Sequence, residues 1–380
     1  MDEEAYVILL STSKINLERR YVMKSSKKIL LCVLLITVSI ISLILINTNA
    51  NKSFKYKGSI IALTVNGNSA NSFPTSGKYN VTVNCENAKG RWNPKTWKLE
   101  ITKIIGTVTC VVSFNSSVSN LTTEVNNKAT RDENGKRYEG KNPDNYIWFN
   151  DELWRIIGNI PVCLESGCST TENRVKIIRN DSIGTIKYDE SSSTWMGSNI
   201  QNLLNTCYLG KQSSCDSYCY SNSTTVKGTC DYSSDGIDVT YYYGKMVEDV
   251  YFNIGTGDGT YKTAANYYTQ EIATHTTTAS KIGLMYASDW GYAIEGFSGI
   301  LGSDGNPQNS SDKNWLLKDA DSIMTSHSSV YLLATYRGGT LSINHNSSLG
   351  SPIRPVLYLK SNVYVVSGTG TKVDPYRIGM

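Results

Sequence analysis

The chain has 380 residues, 18% of them charged, and a formal net charge of +4. Residues 1–28 hold two more basic than acidic side chains, so the remainder carries only about +2. That balance excludes a nucleic-acid partner and an electrostatic attachment to a membrane surface.

From the N-terminus, the first element is the apolar run Ile29–Ile46. No charge occurs between Lys28 and Lys52. The run is long enough for a membrane-crossing helix, which needs about 20 mostly apolar residues. Arg19, Arg20, Lys24, Lys27 and Lys28 all precede it. This bias keeps residues 1–28 cytoplasmic and exports everything after residue 50. Two outcomes are open. One is a transmembrane signal anchor at 29–47, which would make the membrane a partner. The other is a signal peptide cut near Ala50, which would release a secreted protein. Met23 is an alternative start to Met1.

Export decides how the cysteines are read. Leaving Cys32 in the apolar run aside, the other eight of the nine form local groups. Outside the cytoplasm they read as disulfides. The preferred pairs are Cys85–Cys110, Cys163–Cys168, Cys207–Cys215 and Cys219–Cys230. The last four cysteines still permit three connectivities. Zinc at that cluster would want a Cys-x-x-Cys repeat or nearby histidines. The chain has one Cys-x-x-x-Cys, and its histidines are His275, His327 and His345. No metal or other cofactor is expected.

Residues 57–114 read as strands at Ser59–Val65, Lys78–Asn84, Thr96–Ile101 and Gly106–Phe114, separated by turn residues. This predicts a small β-sandwich module with a Cys85–Cys110 bridge. Residues 115–140 are polar and read as a linker. A larger domain, 141–380, opens on Tyr146–Ile157 as a hairpin turning at Asn150-Asp151. Val175–Arg179 continues a sheet. Ser198–Leu204 reads as a short helix capped by Ser198 or Asn199. Lys245–Tyr251 has helical spacing. Late strands are expected at Lys281–Tyr286, Val330–Thr335, Thr340–Ile343 and Val356–Lys360.

The pieces Tyr146–Gly158, Val175–Gly184, Asn199–Asn205, Ile282–Ala293, Ile353–Val363 and Gly368–Tyr376 occur in an order that resembles a family of exported proteins of Gram-positive, mostly gut-dwelling bacteria. The resemblance covers most of 140–380, and the 57–114 module is similar to one that often precedes it. No activity is established for that family. The Trp-rich hairpin and the closing Arg354-Pro355 strand resemble, at fold level, the C-type-lectin-like fold shared with formylglycine-generating enzymes. One departure is the stretch Ile323–His327 after Asn314-Trp315-Leu316, where the family has a Trp-x-x-Ser-Pro-like element. The fold class expected is therefore α+β and β-rich: an N-terminal transmembrane helix, a small β-sandwich and a C-type-lectin-like domain.

Catalytic patterns are weak. None of the three histidines sits in a nucleophile motif. The carboxylate pairs Asp151-Glu152, Asp189-Glu190 and Asp319/Asp321 read as solvated turns rather than a glycosidase dyad. The oxidase activity of formylglycine-generating proteins needs late cysteines, and the last here is Cys230. Gly255–Gly259 lacks phosphate-loop context, and Ser303–Asn306 lacks calcium-loop spacing. Recognition is the better reading. Tyr331, Tyr336, Arg337, Asn344, His345 and Asn346 offer aromatic, amide and guanidinium groups for a glycan or a surface protein. The expected function is a membrane-anchored surface protein for ligand binding or adhesion, not an enzyme. The alternatives are an envelope or pilus-like assembly subunit and an envelope enzyme with an unfamiliar site.

Overall fold

The computed structural model describes residues 60–380, apart from 216–217, 220–229, 274–275, 302–312, 317–320 and 337–339. The apolar run at 29–47 and residues 1–28 before it lie outside the described residues.

The chain opens with β1 (Ile60–Val65), β2 (Asn80–Glu86), β3 (Lys89–Asn93), β4 (Lys98–Thr102) and β5 (Thr109–Asn115). β1 and β2 flank β5, β1 parallel and β2 antiparallel to it, while β3 and β4 form a separate hairpin. Period-2 patterning explains the packing: Cys110, Val112 and Phe114 of β5 are buried while Val111 is exposed. Trp92 of β3 closes this core, edge-on to Phe114 with ring centroids 4.8 Å apart.

Residues 115–140, expected as a linker, carry ordered structure. Helix α1 (Leu121–Lys128) starts at the Asn120 cap, whose side chain accepts from the Thr122 N–H. Its Leu121 and Val125, one turn apart, are buried in the large core.

The large core surrounds a nine-stranded sheet. Strand β6 (Tyr146–Phe149) turns at Asn150-Asp151 into β7 (Glu152–Cys163). Both turn residues have positive φ, 54° and 62°, as a two-residue hairpin loop requires. β7 pairs antiparallel with β8 (Thr171–Arg179), with a bulge between Ile156 and Gly158. Helix α2 (Asn199–Asn202) starts at Ser198, whose Oγ accepts from the Gln201 N–H, and continues as a π-helical stretch, Leu203–Tyr208. β9 (Val250–Asn253), α3 (Ala264–Ala273), β10 (Thr277–Ser280), β11 (Ile282–Gly283) and α4 (Ala287–Tyr292) follow. β12 (Ser322–Ser326), β13 (Tyr331–Tyr336) and β14 (Thr340–Asn346) make a separate three-stranded sheet. β15 (Val356–Leu359), β16 (Tyr364–Ser367) and β17 (Arg377–Gly379) complete the chain. The main path of the large sheet runs β10-β9-β7-β8-β15-β11.

Two expectations are corrected. The α+β class with a C-type-lectin-like domain gives way to a β-rich architecture with few, short helices, and the transmembrane helix expected at 29–47 falls outside the described residues. Among the described residues the longest helix, α3, has 10 residues, and none is long and apolar enough to cross a membrane. The physical reason lies in the β-branched and aromatic content of segments such as VKIIR and VYFN, which fill sheet positions. Likewise Lys245–Tyr251 is not a helix. A 3-10 turn at Gly244–Met246 ends there, and Val250 pairs with Ser280 in the sheet.

All four preferred cysteine pairs stand at disulfide distance, with Cα separations of 4.1, 5.1, 6.1 and 5.7 Å in chain order. Cys85 and Cys110 are direct register partners across β2 and β5.

Candidate ligand-binding cleft

Of the sequence-chosen residues, Tyr331 and Asn346 face each other in register across β13 and β14. Tyr331 is exposed, and its ring stacks on His327 with centroids 5.8 Å apart. Asn344 is exposed. His345 is buried and shares a 2.8 Å hydrogen bond with Ser351 Oγ. Burial pulls its pKa below the usual histidine value. Asn346 accepts from the N–H and hydroxyl of Ser348 in the turn that follows. Tyr336 pairs with Thr340 in strand register, and Arg337 lies outside the described residues. His345 and Asn346 therefore serve the fold of this sheet. Arg354 does the same: it donates to the carbonyls of Arg179 and Leu316 at 3.0 Å each and faces Asp321 at 3.3 Å.

A concave site forms elsewhere, where the end of β2 and the start of β3 meet the C-terminal turn. It is a cleft of ≈ 590 Å³. One wall is Val83–Cys85, Ala88–Arg91 and Thr102; the other is Ser367, Val373–Pro375 and Arg377. Gly90 lets β3 lie close against β2, because a Cβ there would run into the Cys85 Sγ and the Val83 side chain. On the other wall Gly368 holds φ +95°, a left-handed conformation that turns the chain after β16.

Two arginines dominate the charge. Arg91 Nε holds Glu100 at 2.6 Å. The Asn93 amide donates to the other oxygen of the same carboxylate, and together these keep Glu100 below its usual pKa. Arg377 differs. Its guanidinium carbon lies 4.2 Å from the Trp148 ring centroid, and no carboxylate stands within ion-pair distance among the described residues. Burial, then the nearby Arg91 charge, pulls its pKa down to about 10. It stays fully charged at neutral pH. Trp148 fixes the plane of the fork and leaves its N–H donors without a salt-bridge partner.

No known protein family, curated protein or solved structure matches this chain.

The rest of the lining suits a polyhydroxylated ligand. Asn84, Thr102, Ser367 and Asp374 supply amide, hydroxyl and carboxylate partners, and Val83, Ala88, Val373 and Pro375 supply apolar contact. Val373 is 89% exposed at the rim. Among the described residues no group of three or more His, Cys, Asp or Glu is placed to hold a metal ion. Sequence reading missed this cleft because its walls lie almost 300 residues apart in the chain, as Arg91 and Arg377 show. The available signals were modest: Gly90 in β3, and the Gly368 turn that precedes Arg377.

Proposed function

We propose that the protein works outside the cytoplasm as a surface recognition protein, and that it binds an acidic glycan in the Arg377 cleft. The observation that carries this reading is Arg377 itself. A guanidinium braced on Trp148, at the wall of an open cleft, with no ion-pair partner, suits a carboxylate or sulfate group. The polar lining around it suits sugar hydroxyls. Four disulfide-distance pairs support an oxidising compartment, where such bonds persist. Export by the apolar run at 29–47 agrees with that.

A glycan array tests the reading. The expected result is retention of uronic-acid or sulfated glycans and little retention of their neutral counterparts. A preference for neutral glycans, or no retention of any, would overturn it.

A further inference from the structure

The interior of the large sheet holds a cluster that neither the fold nor the cleft explains. Lys176 lies in β8, opposite Gly158 of β7 and Tyr358 of β15, and its side chain is 0% exposed. Its Nζ sits 2.5 Å from Oδ2 of Asp289, the third residue of α4, whose side chain is 1% exposed. The rings of Tyr286 and Tyr358 cover the ammonium, with centroids 4.5 and 5.4 Å away. Arg137 Nη1 holds the other oxygen, Oδ1, at 2.8 Å, and the Tyr286 N–H donates to Oδ2 at 3.0 Å. Glu271 of α3 is a second fully buried carboxyl. It accepts from Thr325 Oγ1 at 2.5 Å and from the hydroxyl and N–H of Ser288, the neighbour of Asp289. The groups facing the pair are thus Arg137, Glu271, Tyr286 and Tyr358.

An amine and a carboxylate held in contact, away from water, with a second carboxyl nearby, are the components of amide formation. We propose that Lys176 and Asp289 join in a spontaneous intramolecular isopeptide bond that ties β8 to α4. The Lys176 ammonium passes one proton to Oδ2. The freed amine attacks Cγ, and the new N–C bond forms as the Cγ–Oδ2 bond breaks. A second proton from the nitrogen leaves with Oδ2, so one water is released. Oδ1 becomes the amide oxygen. No oxidant and no further reactant is consumed.

Each neighbour has a part. Arg137 holds Oδ1 throughout and stabilises the charge that grows there during attack. Burial lowers the pKa of Lys176, which favours the neutral, nucleophilic amine. Burial raises Glu271 to about 6. Hydrogen-bonded to Ser288, the residue next to Asp289, it is the carboxyl placed to take up and return the second proton. The enclosure supplies the effective concentration that an uncatalysed amide bond lacks in water. The product also removes two buried charges, those of Lys176 and Asp289.

Mass spectrometry of the purified full chain decides the matter. After reduction, the wild-type protein should weigh one water less than expected from the Lys176→Arg variant, corrected for the substitution. Proteolysis should yield a branched peptide joining the segments that contain Lys176 and Asp289. Full mass, with those two segments recovered as separate peptides, would overturn the proposal whether or not the variant folds. Glu271→Gln reports on the relay: protein that is folded by near-ultraviolet circular dichroism should carry a smaller linked fraction. A folded and fully linked Glu271→Gln protein would remove Glu271 from the step.

Discussion

Cys85 and Cys110 face each other across the antiparallel pair β2–β5 with Cα atoms 4.1 Å apart, and Gly90 of the next strand lies close over the Cys85 sulfur. The bridge therefore joins the N-terminal sheet to the floor of the cleft. Replacing both cysteines with alanine should lower the unfolding free energy by about 2–4 kcal/mol, the usual cost of losing such a bridge. Denaturant unfolding of the variant beside the oxidised wild type checks this, and equal midpoints would contradict it.

Tyr364 belongs to a strand far along the chain but packs in the core of the N-terminal sheet. It pairs with Asn120, and with Val366 it joins the cluster of Val81, Trp92, Val112 and Phe114. Tyr364→Ala should cost about 3 kcal/mol, in line with truncation of a buried aromatic ring. The loss should appear in one cooperative transition rather than in a separate early melt of residues 60–115. Two resolved calorimetric transitions would show the N-terminal sheet to be independent of β16.

Gly158 sits at the β7 bulge, where β7 meets both Lys136-Arg137 and β8. A Cβ there would collide with the backbone carbonyl of Lys136. Because backbone cannot rotate away as a side chain can, Gly158→Ala should destabilise by about 1–3 kcal/mol. A thermal melt within error of wild type would show that the strands shift apart at no cost.

Ser198 caps α2 through its hydroxyl, which accepts from the Gln201 N–H at 3.2 Å. Ser198→Ala should lose about 1 kcal/mol, whereas Ser198→Asp should retain most of the stability. Equal losses in both variants, read by urea denaturation, would argue against the cap.

Local features were readable in the sequence. The Asn150-Asp151 hairpin, a cap at Ser198 or Asn199 and the N-terminal strands other than β3 follow from short-range turn and alternation signals. The cysteine pairs are short in sequence, with separations of 25, 5, 8 and 11 residues, so proximity alone suggested them. Helix α1 was missed because LTTEVNNK shows only Leu121 and Val125 as an apolar stripe. The buried Lys176–Asp289 pair went unread, since nothing in VKIIR or ASDWGY says that both faces of the sheet are covered. The cleft was hidden for a topological reason. It exists only because the last strands of the chain return to β2 and β3, and no local pattern encodes that return.

The central claim is that Arg377 reads an acidic ligand. Calorimetric titration with a uronic-acid oligosaccharide, for wild type and Arg377→Ala, tests it most directly. The account predicts saturable, salt-sensitive binding to wild type. It predicts a loss of about 1.5–3 kcal/mol of binding energy in the variant, the range for a hydrogen bond to a charged group. Equal affinity of the two proteins, with the variant's melting curve unchanged, would contradict it.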